Sequence, residues 1–277
     1  MTDGRSEHDV MTGWDDGISG TVVRDDDVIH VEHVWTTAVT IRLGATRGRE
    51  SRALEAIGSC TSFFADVDRR FSAFTPLSEV SLHRMGLDGN GRHSPEFDEV
   101  MAACHHARQV TDGAFDPWAL PGGYDPTGYV KGWAAGRASR LLHAAGFPHH
   151  LVNAGGDVCA HGDEVPGSGG GWPIGIVNPH ATGEVIKVVT LHDQSMATSG
   201  RYERGAHVID PATGAPAISV DSATVVGPDA GLVDAVASAV LVRGRDSMTW
   251  FADLGPTWSL HLVVGQQAWM FGPAFED

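Results

Sequence analysis

From Gly20 to Leu43 apolar residues alternate with polar ones in short runs, first Val28-Ile29-His30-Val31 and then Ala38 to Leu43. That period of two predicts strands. The pattern then changes. Leu54, Ile57, Phe64 and Val67 recur at spacings suited to one helical face, which predicts a helix over Glu50 to Phe71. Ser94-Pro95-Glu96 opens a second helix, with Ser94 as N-cap and Pro95 in the first turn, running to about Thr111. A third is expected from Lys131 to Ala145, closed by Gly146, and a fourth from Asp229 to Val242. Strands are expected at 150–153, just after Gly155-Gly156, at Trp172–Val177 and Val185–Leu191 as a pair around Asn178-Pro179, at Ser219–Val226, and at Ser259–Val264.

Between these elements, Asp88 to Gly91 reads as a turn and Val165 to Gly171 as a flexible Gly/Ser loop. Asp112 to Gly128, rich in Gly, Pro and Asp, reads as a loop long enough to be functional. Strands and helices mix without a βαβ repeat, so the fold class expected is α+β with largely antiparallel sheet. Residues 1–18, acidic and poor in apolar side chains, read as disordered, and 19–277 as one domain.

Composition narrows the function. No stretch is apolar for 18 residues, so no membrane span is expected. The N-terminal stretch lacks the basic and apolar regions of a signal peptide, which leads to an expectation of a cytoplasmic protein. A net charge of −16 argues against general attraction to nucleic acid. An anionic ligand would need a local device: a metal, a helix end or a lone cation. Cys60, Cys104 and Cys159 are odd in number and far apart, and read as buried thiols rather than a disulfide framework. Only two lysines, Lys131 and Lys187, stand among the 19 basic residues. A retained lysine suggests a place that needs a compact ammonium.

The candidate chemistry gathers between Thr198 and Ser238. Asp234 and Ser238 are four apart on an otherwise apolar helix, so they share a face. They either offer oxygen to a hard cation such as Mg²⁺, or Asp234 is a buried carboxylate that hydrogen-bonds Ser238 or a loop amide. Thr198-Ser199-Gly200 either wraps a phosphate or forms a plain turn. His207, ahead of the turn Asp210-Pro211-Ala212-Thr213-Gly214, is either a general base or a turn cap. Upstream, Gly155-Gly156-Asp157 allows close approach to a ligand or is an ordinary turn. Lys131, read at a helix start, is a phosphate contact or a solvated lysine. His105 and His106 are adjacent on the second helix, so they point to different faces and make poor metal partners.

The order of the motifs carries more than any one of them. Ser78-Glu79-Val80-Ser81 is followed by Thr111 to Pro117, then Lys131-Gly132-Trp133-Ala134, then Asn153-Ala154-Gly155-Gly156-Asp157. Ala197-Thr198-Ser199-Gly200, His207 to Gly214 and Asp234 to Ser238 complete the series. This series resembles the ApbE family, the FAD:protein FMN transferases, over roughly Val34 to Val264. The resemblance implies an α+β fold with an FAD cleft and a divalent metal, usually Mg²⁺, beside the pyrophosphate. It implies transfer of FMN from FAD to a Ser or Thr hydroxyl of a target flavoprotein, with release of AMP. By the same resemblance, Asp234, Ser238 and the carbonyl of Gly128 are metal ligands, and Lys131 contacts the cofactor. His207 assists catalysis, with Asp210 as the other candidate base. Ser78, Glu79, Asp116, Gly155, Gly156, Asp157, Thr198, Ser199 and Gly200 fall in the cofactor-binding motifs. The chain departs from the family pattern in three places: Val233-Asp234-Ala235 with Ser238, where Ala-Asp-Ala with Thr is usual; Gly136, where an Asp is usual; and Pro126-Thr127, where Leu-Gly is usual. Binding FAD without transfer, or hydrolysing it with water, are the rival readings.

Overall fold

The computed structural model describes residues 19–87, 93–120, 122–181, 183–201 and 208–276. The stretch read as disordered, the Asp88–Gly91 turn and His207 lie outside the described residues. The first strands are β1 (Gly20–Arg24), β2 (Asp27–Val34) and β3 (Thr37–Leu43). Four helices follow: α1 (Glu50–Phe71), α2 (Glu79–Arg84), α3 (Pro95–Val110) and α4 (Thr127–Ala144). Next come β4 (His150–Ala154), β5 (Asp157–His161), β6 (Trp172–Val177), β7 (Val185–Leu191), β8 (Ser195–Gly200) and β9 (Ser222–Gly227). Helix α5 (Ala230–Arg243), β10 (Ser259–Val264) and β11 (Gln267–Phe271) complete the main elements.

Nine strands form one antiparallel sheet in the order β1-β2-β3-β4-β5-β8-β9-β10-β11, and β6 and β7 pair as a separate hairpin. This is the α+β class expected. Side-chain alternation on the central strands builds two cores. Val152, Ala154, Ala197, Ala223 and Val225 face the layer of α1, α4 and α5. Leu151, Val158, Ala160, Met196 and Val226 face the β6–β7 hairpin, which covers them with Trp172, Ile176, Val189 and Leu191. With both faces covered, the central strands tolerate small or apolar residues throughout.

Helix α5 is sandwiched between α4 and strands β8 and β9. That accounts for its nearly uninterrupted apolar sequence: Val233, Ala235, Val236, Ala237, Ala239 and Val240 are all fully buried. Asp229 caps it by accepting from the Leu232 amide at 2.8 Å. The α4–α5 contact depends on Gly132. A methyl group there would overlap the Ala230 carbonyl and meet Asp234 Cβ at 3.0 Å.

Three expectations change. Helix α4 begins at Thr127, four residues before Lys131, so Lys131 stands in its second turn and the free helix amides belong to earlier residues. Thr198-Ser199-Gly200 is the end of strand β8, paired along its length with β9, and not a turn. The strand expected at 219–226 runs from Ser222 to Gly227. Helix α2 and strands β8 and β11 have no counterpart in the sequence reading.

Candidate active site

Strand β8 outruns its neighbour. It pairs with β9 at all six positions but with β5 only through Ser195 and Met196, because the β4–β5 hairpin turns at Gly155-Gly156. A cleft of about 200 Å³ opens beyond that hairpin tip. Its walls include Gly155, Thr198 and Ser199 from the strands, Gly128 and Lys131 from α4, Asp234 and Ser238 from α5, and Asp116 from the loop after α3. The backbone at Gly155 is left-handed (φ +62°) and packs on Thr37 so closely that any side chain would collide with it. That closes the floor between the two hairpin tips.

A second cavity of about 370 Å³ lies on the other side of the first turns of α4. Trp35 and Thr36 from the β2–β3 turn, Val67 and Phe71 from α1, and Phe74 line it, and Thr127 and Lys131 are common to both cavities. Together the two fall in the range of small-molecule sites, a few hundred to ~1,000 Å³. A larger cavity, about 570 Å³, opens near the C-terminus around Trp258, Phe271 and Phe275. It has no convergent polar cluster, so chemistry and not size selects the first two.

The electrostatics centre on three side chains. Asp157, at the head of β5 and almost wholly buried, forms an ion pair with Lys131 Nζ. Asp234 is also buried, and its Oδ2 accepts from the Gly132 amide at 3.3 Å. Burial, and then the neighbouring Asp157 carboxylate, hold the Asp234 carboxyl well above the usual carboxylate range, against the opposing pull of Lys131 and the Gly132 amide. Two carboxylates therefore share one ammonium at the base of the cleft. Ser238, one turn after Asp234, has its Oγ 3.2 Å from Ser199 Oγ. A methyl group on Gly128 would come within 3.8 Å of that same Ser238 Oγ.

This oxygen set suits a hard cation. A buried carboxylate short of charge compensation, a hydroxyl and an adjacent backbone segment are what Mg²⁺ or Ca²⁺ uses. Among the described residues no group of three or more His, Cys, Asp or Glu side chains is placed to hold a metal.

The other expected site residues make contacts of their own, some within the cleft and some away from it. Asp116 lines the cleft, but its oxygens accept from Arg108 Nε at 2.7 Å and from the Trp118 amide at 3.0 Å. Thr198 Oγ1 pairs with Thr224 Oγ1 at 2.8 Å. Gly156 completes the hairpin turn by donating to Asn153 Oδ1 at 2.9 Å. Gly200 ends β8 opposite Ser222. Ser78 and Glu79 do not line the cleft. Ser78 caps α2, and Glu79 Oε2 accepts from the Ser94 amide at 2.8 Å. Asp210 builds its own turn: Oδ1 accepts from the Ala212 amide at 2.9 Å and Oδ2 from Thr213 Oγ1 at 3.1 Å. His105 stacks on Trp118 at 4.0 Å between ring centroids. Cys60 and Cys104 are buried thiols, pushed up to about 12 by burial, while Cys159 is partly exposed. None of the second cavity's wall residues except Lys131 is a site candidate from sequence, since Trp35, Phe71 and Phe74 carry no motif and meet only in the folded chain.

Comparison with known proteins agrees with this architecture. Residues 123–257 match the ApbE family. An FAD:protein FMN transferase of Treponema pallidum is 31% identical over 250 residues, covering 80% of this chain and 67% of that protein. The same-named protein of Haemophilus influenzae is 33% identical, covering 78% of each. Among solved structures, the flavin transferase ApbE of Vibrio cholerae superposes with a TM-score of 0.73 at 18% identity, over 90% of this chain and 98% of that one. The ApbE protein of Thermotoga maritima gives a TM-score of 0.73 at 22% identity, over 87% and 96%. These two share the fold, and the sequence relatives share enough of their length and identity to establish kinship: the chain belongs to the ApbE family.

Proposed function

We propose that this protein transfers FMN from FAD to a Ser or Thr hydroxyl of a target flavoprotein, with AMP as the leaving product and Mg²⁺ as the required cation. The observation that carries this reading is the convergence of Gly128, Lys131, Asp234 and Ser238 on one cleft from two separate helices. The names of the relatives supply the reaction class.

In this reading FAD lies across both cavities with its pyrophosphate at their junction, over Lys131. Asp234, Ser238 and the Gly128 carbonyl would hold Mg²⁺, which when bound would neutralise charge developing on the pyrophosphate oxygens. Lys131 adds a fixed positive charge, oriented by Asp157. The acceptor oxygen bonds to the FMN phosphorus, and the bond from that phosphorus to the bridging oxygen breaks. AMP leaves with the bridging oxygen. The hydroxyl proton passes to a base, for which His207 and Asp210 are the candidates, Asp210 accepting within its own turn through one bond at each oxygen. Local charges do this work, which is compatible with a net charge of −16.

Three cysteines without a disulfide suit a reducing compartment, and the cytoplasm is the proposed location. No helix among the described residues is long and apolar enough to cross a membrane. Chromatography of nucleotides tests the reading: AMP should appear only when FAD, Mg²⁺ and a hydroxyl-bearing acceptor are all present. Formation of AMP and free FMN without acceptor would instead identify a pyrophosphatase.

A further inference from the structure

Helix α2 touches neither cavity wall with its cap, yet its last residue reaches both. Arg84 Nε donates to the Tyr124 carbonyl at 2.7 Å, and Nη1 to the Ala73 carbonyl at 3.3 Å. Nη2 pairs with Asp125 Oδ2 at 3.0 Å, with both side chains largely buried. Asp125 is itself a junction. Its amide donates to the Pro117 carbonyl at 2.8 Å, and its Oδ1 accepts from the Thr127 amide at 3.1 Å, at the entry to α4. Pro117, Asp125 and Thr127 line the first cavity. Ala73 and Thr127 line the second. One guanidinium thus ties the outer wall of one cavity to the outer wall of the other, through the segment that leads into Gly128 and Lys131.

We infer that Arg84 is a positioning residue: it fixes the spacing of the two cavities and the placement of the first turns of α4, on which Gly128 and Lys131 stand. This rests on the transferase reading for its substrate but not for its geometry. The planar fork suits the task, because it holds two carbonyls and a carboxylate in fixed directions, which a lysine cannot do. It also gives Ser78 and Glu79 a role without ligand contact. Ser78 caps α2 and donates to the Ser72 carbonyl at 2.6 Å, and Glu79 anchors α2 to the start of α3. Both hold the helix that aims Arg84.

The test compares Arg84→Ala, Arg84→Lys, Asp125→Asn and the Arg84→Ala/Asp125→Asn double variant in the full chain. FAD affinity is read by flavin fluorescence, transfer by kcat and KM, and backbone opening by hydrogen exchange. Arg84→Ala should lower kcat/KM about ten- to a hundredfold, the scale of a small misplacement at a reacting centre. It should also speed exchange over residues 123–131 while β8 and β9 stay protected. Arg84→Lys should recover only part of the loss, and the double variant should be no worse than the poorer single one. Wild-type kinetics in Arg84→Ala together with unchanged exchange over 123–131 would overturn the inference, as would losses that simply add in the double variant. If the wild-type protein transfers nothing, the transferase reading fails by itself, and the exchange result still decides the role of Arg84. Should Arg84→Ala not fold, Arg84→Lys against Asp125→Asn makes the same comparison.

Discussion

The Gly132 amide reaches Asp234 Oδ2 at 3.3 Å, across a helix contact so close that a methyl group on Gly132 would overlap the carbonyl of Ala230. The tight packing of α4 on α5 and the placement of the buried carboxylate are therefore one feature. Gly132→Ala should destabilise the protein by about 1–3 kcal/mol, the range for overpacking a close contact. It should also weaken Mg²⁺ binding, because the helices must separate. The urea midpoint and a Mg²⁺ titration check the two effects together, and a variant that keeps both wild-type values would show that the contact has slack.

Asp234→Asn separates stability from function. Burial and Asp157 both disfavour the charged carboxylate, so the neutral isostere should melt at the same temperature as the wild-type protein or higher. It should lose Mg²⁺-dependent AMP release. Mg²⁺ at a hundred times its Kd should stabilise the wild-type protein by about 2.7 kcal/mol and leave the variant unmoved. Thermal melts with and without Mg²⁺ read both.

Ser238 tests the hydroxyl alone. Its Oγ stands 3.2 Å from Ser199 Oγ and beside Gly128. Ser238→Thr keeps the oxygen and should retain activity within about threefold. Ser238→Ala should weaken Mg²⁺ by about tenfold or more. A folded but inactive Ser238→Thr protein would count against the ligand role.

His150 contributes a loss of stability on the acid side. Its ring is fully buried, with Nδ1 2.7 Å from the Phe147 carbonyl and Nε2 2.7 Å from Ser139 Oγ. A carbonyl only accepts, so the neutral ring carries its proton on Nδ1 and accepts from Ser139 at Nε2. Burial lowers its pKa from 6.5 to about 4. The folded state thus binds fewer protons than the unfolded one between these values. Stability is full above about pH 6.5 and is lost as pH falls toward 4, by about 3 kcal/mol. The stability difference between the wild-type protein and His150→Gln, read by urea unfolding between pH 7 and 4, should follow this slope, because the opposite contribution of Asp234 is common to both.

Much of the fold was legible because periodicity is local. The 22 residues of α1 and both strands of the β6–β7 hairpin run between the limits their patterns suggest. Helix α2 was not legible, since six residues are too few to show a helical period. Strand β8 reads as a polar turn because Ala197, Thr198, Ser199 and Gly200 are small. They are small because the strand lies under α5 and borders the cleft. The start of α4 was hidden by Pro126 and Gly128, residues that look like loop but begin the helix. In the site, Asp234 and Ser238 could be paired from their spacing alone. The ion pair of Lys131 with Asp157 and the reach of Arg84 to Asp125 could not, because those partners meet only through the folded chain.

The most direct test is intact mass spectrometry of a Ser/Thr-bearing flavoprotein acceptor after incubation with FAD, Mg²⁺ and this protein. The account predicts an acceptor heavier by one phosphoester-linked FMN, with one AMP released per modification, and no change when Asp234→Asn replaces the wild-type protein or Mg²⁺ is chelated. An acceptor of unchanged mass beside accumulating AMP and free FMN, or full modification by the Asp234→Asn protein, would contradict it.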